Sequence, residues 1–170
     1  RWRMRAAEWW RRNLHVNQAM ETPFRAIRQI GLVTGDLDRF IQNMENLYHL
    51  RPDRTAFVPV GATKGTCLRR LAFYEFEHVE LEVVEPLRSH PAWHIFLDRH
   101  GDCLQHIQFN VEDLAAAIEQ LEQQGVEMIE RGHSITVPEV EYVFFDTVDR
   151  LGYVTEIVNF KEIENRNARR

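Results

Sequence analysis

Cys103-Leu104-Gln105-His106-Ile107-Gln108-Phe109-Asn110-Val111-Glu112-Asp113-Leu114 reads as a strand running straight into a helix start. It has a counterpart upstream, Arg28-Gln29-Ile30-Gly31-Leu32-Val33-Thr34-Gly35-Asp36-Leu37. With Gln29 set against His106, an offset of 77 residues, Ile30 meets Ile107, Leu32 meets Phe109, and Asp36-Leu37 meets Asp113-Leu114. The offset is close to half of the 170-residue chain, which marks a duplicated structural unit.

Both copies continue alike. Leu37, Phe40, Ile41, Met44 and Leu47 recur at the three- and four-residue spacing of one helix face, as do Leu114, Ala117, Ile118 and Leu121. Each helix opens beside an Asp that can accept from the free N–H groups of its first turn, and Gly125 stops the second. Strand-like runs follow near 55–60, 67–76 and 79–85 in the first copy. In the second they fall near 127–131, 140–147 and 153–159, with a turn at Asp149-Arg150-Leu151-Gly152.

The expected architecture is an α+β fold of two tandem βαβββ modules forming a cup-shaped mixed sheet, with an extra N-terminal helix. The boundaries are an amphipathic helix over 1–23, a first module over 24–88, a connector helix over 89–102, a second module over 103–160 and a tail over 161–170. Whether the two modules close one cup within a chain or pair across a dimer stays open at this level. Trp93, Phe96 and Leu97 set the connector helix, which Gly101 ends.

A chain this long buries roughly 70% of its unfolded surface and needs no staples. A net charge of −5 with dispersed basic residues argues against nucleic acid as the partner. Cys67 and Cys103 lack metal-type spacing and suit a reducing, cytoplasmic setting. No apolar run nears the roughly 20 residues that cross a bilayer, so no transmembrane segment is expected. In the N-terminal helix, Trp2, Ala6, Trp9, Trp10 and Leu14 line one face and Arg1, Arg5, Arg11 and Arg12 the rest. Such a stripe packs on its own domain or on a second subunit, which points to a homodimer, while membrane-surface and transit-peptide roles are the alternatives.

Four polar residues interrupt apolar strands at repeat-equivalent places: Gln29 and His106 in the first strand of each module, Glu82 and Glu156 in the last. A buried carboxylate needs a cation or a donor beside it. Side chains alternate along strands, so all four can face the concavity. One imidazole nitrogen, two carboxylates and one amide oxygen suit Zn²⁺, Mn²⁺, Fe²⁺, Co²⁺ or Ni²⁺. Taken singly, Glu82 and Glu156 read as solvent-facing, Gln29 as an ordinary strand polar residue and His106 as a satisfied core histidine; taken together they point to a metal site. His90, His94 and His100 in the connector read as surface histidines. Lys64, in the Gly61–Gly65 loop, is a candidate contact for an anionic small-molecule substrate against the commoner solvated lysine. Phe73, Tyr74, Tyr142 and Phe144 serve either substrate binding or core packing.

The chain resembles the vicinal oxygen chelate superfamily of glyoxalases, bleomycin resistance proteins and extradiol dioxygenases, over about residues 26–160. The stretches Glu82-Val83-Val84-Glu85-Pro86-Leu87, His90-Pro91, Phe96-Leu97 and Leu104–Val111 are similar to the methylmalonyl-CoA epimerase branch, and Gly152–Val158 to the superfamily's final ligand strand. The resemblance implies metal ligands at Gln29, Glu82, His106 and Glu156. The epimerase branch usually has His at the place of Gln29; a Gln, Glu, His, Glu set is similar to one glyoxalase I type. The epimerase's additional carboxylate base has no match near 63–67. The implied activity is that of a metal-dependent isomerase or lyase acting on an acyl-thioester or thiohemiacetal. It abstracts a proton next to a carbonyl through a metal-stabilised enediolate, with Glu156 or Glu82 as the base. The alternatives are a metal-free, resistance-type binding module and, further off, an extradiol-type dioxygenase, which wants a second His where Gln29 stands.

Overall fold

The computed structural model describes residues 22–60, 67–87, 91–134 and 137–160. The N-terminal helix expected over 1–23, but for its last two residues, lies outside these, as do Lys64, His90 and the tail over 161–170.

Strand β1 (Phe24–Val33) leads into helix α1 (Leu37–Tyr48), then β2 (Arg54–Val60), β3 (Cys67–Glu75) and β4 (Glu80–Pro86). Helix α2 (Pro91–His100) connects to β5 (Cys103–Val111) and α3 (Leu114–Gln123). After these come β6 (Met128–His133), β7 (Glu141–Phe145), the single turn α4 (Val148–Leu151) and β8 (Val154–Val158). The second pass repeats the first. Asp36 Oδ1 accepts from the Arg39 N–H and Asp113 Oδ1 from the Ala116 N–H, each 2.9 Å away, so the repeated Asp-Leu pair is a repeated helix cap. The turn read at 149–152 contains a helical turn, closed by Gly152 at φ 80°.

The eight strands form one sheet in the order β2-β3-β4-β1-β5-β8-β7-β6. β1 pairs in parallel with β4, and β5 with β8; the two halves join where β1 and β5 run antiparallel. The cup is thus built within one chain.

Each helix of the repeat covers one half of the sheet's outer face. Leu37, Phe40, Ile41 and Met44 pack on Ala72, Tyr74 and Val83; Leu114, Ala117, Ile118 and Leu121 pack on Val111, Val143, Phe145 and Ile157. Each fully buried side chain of Val or Leu size contributes about 1.5–3 kcal/mol. One expectation changes here. Leu47, expected on the α1 stripe, is 71% exposed and Tyr48 65%, so the last turn of the helix stands outside the cluster that packs the rest of the stripe. Of the two roles open to Tyr74, core packing is the one found: it packs under α1, since strand alternation from Phe73 sends it to the other face. The inner face carries Val33, Leu71, Phe73, Val84, Phe144 and Val154, with Trp93 of α2 set among them. No helix among the described residues is long and apolar enough to cross a membrane.

Candidate functional site

The four repeat-equivalent residues lie on the four central strands. Two rungs cross the sheet there. Strand register places Glu80, Gln29, Gln108 and Glu156 side by side in one rung, and Glu82, Gly31, His106 and Val154 in the next. Duplication makes Gly31 the counterpart of Gln108, so one module leaves a gap where the other places a long amide. The His106 ring fills that gap. A Cβ built on Gly31 would overlap the imidazole, although its backbone needs no left-handed conformation.

His106 is fully buried. Its Nδ1 lies 2.6 Å from Gln105 Oε1, an acceptor, so that nitrogen carries a hydrogen and turns Nε2 toward the other three residues. Nε2 stands 3.2 Å from Gln29 Oε1 and 3.4 Å from one oxygen of each carboxylate, Glu82 and Glu156. The Gln108 amide donates to Gln29 Oε1 at 3.2 Å and to Glu156 Oε2 at 2.9 Å. Gln29 in turn donates to Glu80 Oε1 at 2.7 Å, and Glu80 Oε2 accepts from Arg54 at 2.5 Å.

Burial by itself would lower the His106 pKa, but the hydrogen bond to Glu82 and the charges of Glu156 and Glu82 outweigh it, and the net shift is upward. Burial pushes Glu156 up to about 7; the Glu82 charge adds to this, while His106, the Gln108 donor and Arg69 oppose it. Two carboxylates crowded onto one imidazole, out of water, form a site that attracts positive charge.

Among the described residues no group of three or more His, Cys, Asp and Glu side chains is closed up as a ready-made ion cage. The chemistry of the donors nevertheless fits a divalent ion. Atoms bonded to one ion at about 2.0–2.2 Å stand roughly 3–3.5 Å apart, and three oxygens here are 3.2–3.4 Å from Nε2. Gln105 on Nδ1 is the outer-shell contact that a metal-binding histidine ordinarily makes.

The remaining candidates surround this centre. Phe144 presents its ring 5.3 Å from the His106 ring, edge to face, and Trp93 does so at 6.0 Å. Tyr142 packs on Phe144 at 5.6 Å and donates to Glu130 Oε1 at 3.1 Å; burial and the Glu130 charge raise its pKa. Phe73 lies on the inner face beneath the Arg54 guanidinium, 4.0 Å from its ring centre.

Strand alternation reaches Gln108 and Glu80, each two residues from a named ligand. Gly31 was signalled only as a glycine inside a strand. Arg69 went unread. It is 7% exposed, stacks 4.2 Å above Trp93 and donates to Glu130 at 2.9 Å, bridging β3 and β6 across the mouth of the cup. Nothing in an Arg-Arg pair within a strand marks one arginine as buried.

A model of the Glyoxalase/Bleomycin resistance protein/Dioxygenase superfamily matches residues 28–144. Among solved structures, methylmalonyl-CoA epimerase of Streptomyces coelicolor, in complex with 2-nitronate-propionyl-CoA, is 21% identical with a TM-score of 0.61, over 80% of this chain and 97% of that one. Methylmalonyl-CoA epimerase of Mycobacterium tuberculosis is 18% identical with a TM-score of 0.57, over 84% and 93%. A mutant of 4-hydroxymandelate synthase from Streptomyces coelicolor is 15% identical with a TM-score of 0.61, over 84% and 50%. These likenesses are of fold. In sequence, the uncharacterized protein YqjC of Bacillus subtilis (strain 168) is 36% identical over 61 residues, a match spanning 36% of this chain and 44% of that protein.

Proposed function

This chain belongs to the Glyoxalase/Bleomycin resistance protein/Dioxygenase superfamily, and from that premise we propose that it is a metal-dependent isomerase or lyase that moves a proton next to a carbonyl. The observation that carries the reading is the meeting of Gln29, Glu82 and Glu156 oxygens at His106 Nε2, two ligands from each half of the sheet. The substrate class is a small acyl-thioester or thiohemiacetal, in line with the CoA ligand of an epimerase of the same fold.

Gln29, Glu82, His106 and Glu156 would hold the ion, with Zn²⁺, Co²⁺, Ni²⁺, Mn²⁺ or Fe²⁺ as candidates. A divalent ion held there supplies Lewis-acid polarisation of the substrate carbonyl. Glu156 is assigned as the base that accepts the proton, with Glu82 as the second carboxylate; work of this kind contributes roughly 10²–10⁴-fold in rate. Gln108 holds Glu156 in place, and Gln105 holds the His106 tautomer. Phe73, Tyr142 and Phe144 are the apolar and polar walls against which a substrate is oriented, and Lys64 is a further contact for an anionic one. The same reading takes a homodimer and a cytoplasmic setting.

A metal-free ligand-binding module is the second reading, favoured by Gln108, whose amide already bridges two of the donor oxygens. Elemental analysis of protein purified without chelator separates the two. Near-stoichiometric metal, lost in both His106→Ala and Glu156→Ala, supports the enzyme. Wild type that holds no metal and cannot be loaded with Zn²⁺, Co²⁺, Ni²⁺ or Mn²⁺ defeats it.

A further inference from the structure

An amide side chain is an ambiguous ligand. Its oxygen attracts a cation and its NH₂ group repels one, yet the two ends have nearly the same shape. A site that recruits Gln29 therefore needs something to decide which end faces the ion. His106 has Gln105 for this purpose. Gln29 has no neighbour of that kind on its own strand, but it has one on the next: Glu80, its register partner on β4.

We propose that Glu80, clamped by Arg54, is the positioning residue that makes Gln29 an oxygen donor to the metal; the inference rests on the metal-site reading above. A carboxylate accepts and cannot donate, so when Gln29 Nε2 bonds Glu80 Oε1 at 2.7 Å, the amide oxygen must point the other way, to His106 and Gln108. Glu80 is itself fixed. Its second oxygen takes the Arg54 Nη2–H at 2.5 Å, the other Arg54 nitrogen goes to Glu75 at 2.8 Å, and the guanidinium lies over the Phe73 ring. The chain of contacts runs Glu75, Arg54, Glu80, Gln29 and ends on His106. Gln108 sharpens the choice, because its amide hydrogens need acceptors, and a reversed Gln29 would present a donor to a donor.

The arrangement also divides two jobs between two nearby acids of one strand. Glu82 faces the imidazole at 3.4 Å, whereas Glu80 is bound to an arginine and an amide and holds no place in the ion's donor set. Side-chain alternation gives both the same face; their partners make one a ligand and the other its support.

The test uses the full chain and Co²⁺ alone as the probe. Glu80→Gln is nearly isosteric but can offer Gln29 either an acceptor or a donor, so the amide is free to turn. Glu80→Asp keeps the charge. Co²⁺ affinity is measured by calorimetry, the urea midpoint by circular dichroism, and the Gln29 side-chain amide resonances by NMR on metal-free protein. The expected result is a loss of Co²⁺ affinity on the order of 10- to 100-fold in Glu80→Gln, the usual cost of losing an outer-shell partner. Glu80→Asp should recover part of it, and the Gln29 amide signals should move in Glu80→Gln. A fall in the urea midpoint alone, with Co²⁺ affinity of the folded protein unchanged, makes Glu80 a structural ion-pair partner and overturns the inference. Unmoved Gln29 resonances overturn it as well, and they do so whether or not metal binds. Wild type that takes up no Co²⁺ sinks the metal-site reading instead, and with it the ligand role of Gln29.

Discussion

Replacing Gly31 by alanine adds one carbon, and the structure says where it goes. The new Cβ would overlap Cε1, Nδ1 and Nε2 of the His106 ring, all inside the 3.0 Å that real Cβ atoms keep. The ring must withdraw by roughly 1 Å or more in a close-packed interior. It has little room, being enclosed by Gln105, Trp93, Phe144 and the two carboxylates. Overpacking of this kind costs about 1–3 kcal/mol, and weakening bonds to charged partners about 1.5–3 more, so Gly31→Ala should lose roughly 3–5 kcal/mol. For a chain of this size that is on the order of 10 °C in Tm. Gly35→Ala is the control: its Cβ would meet Asp102 Oδ1 at 3.8 Å and Leu97 Cδ2 at 3.9 Å, ordinary contacts. Urea denaturation and Co²⁺ uptake are measured on both. If Gly31→Ala unfolds at the wild-type midpoint and still takes up the ion, the imidazole does not depend on the space above Gly31, and the account of how the site is assembled is wrong.

Arg69→Met should destabilise by about 3–5 kcal/mol in chemical denaturation, since it strands the Glu130 carboxylate, 15% exposed, without its cation; adding Glu130→Leu should recover a large part, and strict additivity of the two losses would count against a coupled pair. Asp36→Ala and Asp113→Ala should each cost about 1 kcal/mol of unfolding free energy as lost caps. Burial would raise the Asp102 pKa, but the Gly35 N–H, the Thr34 hydroxyl and Arg39 lower it on balance. A lowered carboxylate stabilises the fold above its unfolded pKa of about 3.9 and ceases to as pH falls through the folded value. Wild type should therefore exceed Asp102→Asn by about 1 kcal/mol or less at pH 7, partial exposure being allowed for, and the gap should close in acid; a gap constant down to pH 2 would refute this. Chelation should lower Tm, by the equivalent of about 2.7 kcal/mol relative to free ion at a hundred times Kd; a Tm indifferent to chelator would mean that the folded state does not hold the ion.

The duplicated outline was legible because its signals are local. Asp36 and Asp113 announce helix starts, the 77-residue offset survives in side chains that face the core, and strand alternation is enough to put Gln29, Glu82, His106 and Glu156 on one face. What stayed hidden depends on register and on through-space contact. That Gln29 stands beside Glu80 and Gln108, and Gly31 beside His106, follows from how strands pair, and pairing is a property of three or four strands at once. Leu47 was misplaced because a periodic stripe says nothing about where the surface beneath it ends. Arg69 lies 61 residues from Glu130 and finds it only because the sheet curls. Strand alternation from Phe73 puts Tyr74 on the opposite face of the sheet, which is why it packs under α1.

The central pairing of β1 with β5 has a consequence for how the molecule could be taken apart. Each half of the sheet contributes two of the four candidate ligands, and neither half holds a complete set. If the chain were divided between those halves, an ion's affinity would no longer be only a binding constant; it would become part of the association constant between two fragments. Such a pair would reassemble when the ion is supplied and drift apart when it is withdrawn, so the presence of metal could be read out as the reunion of two polypeptides.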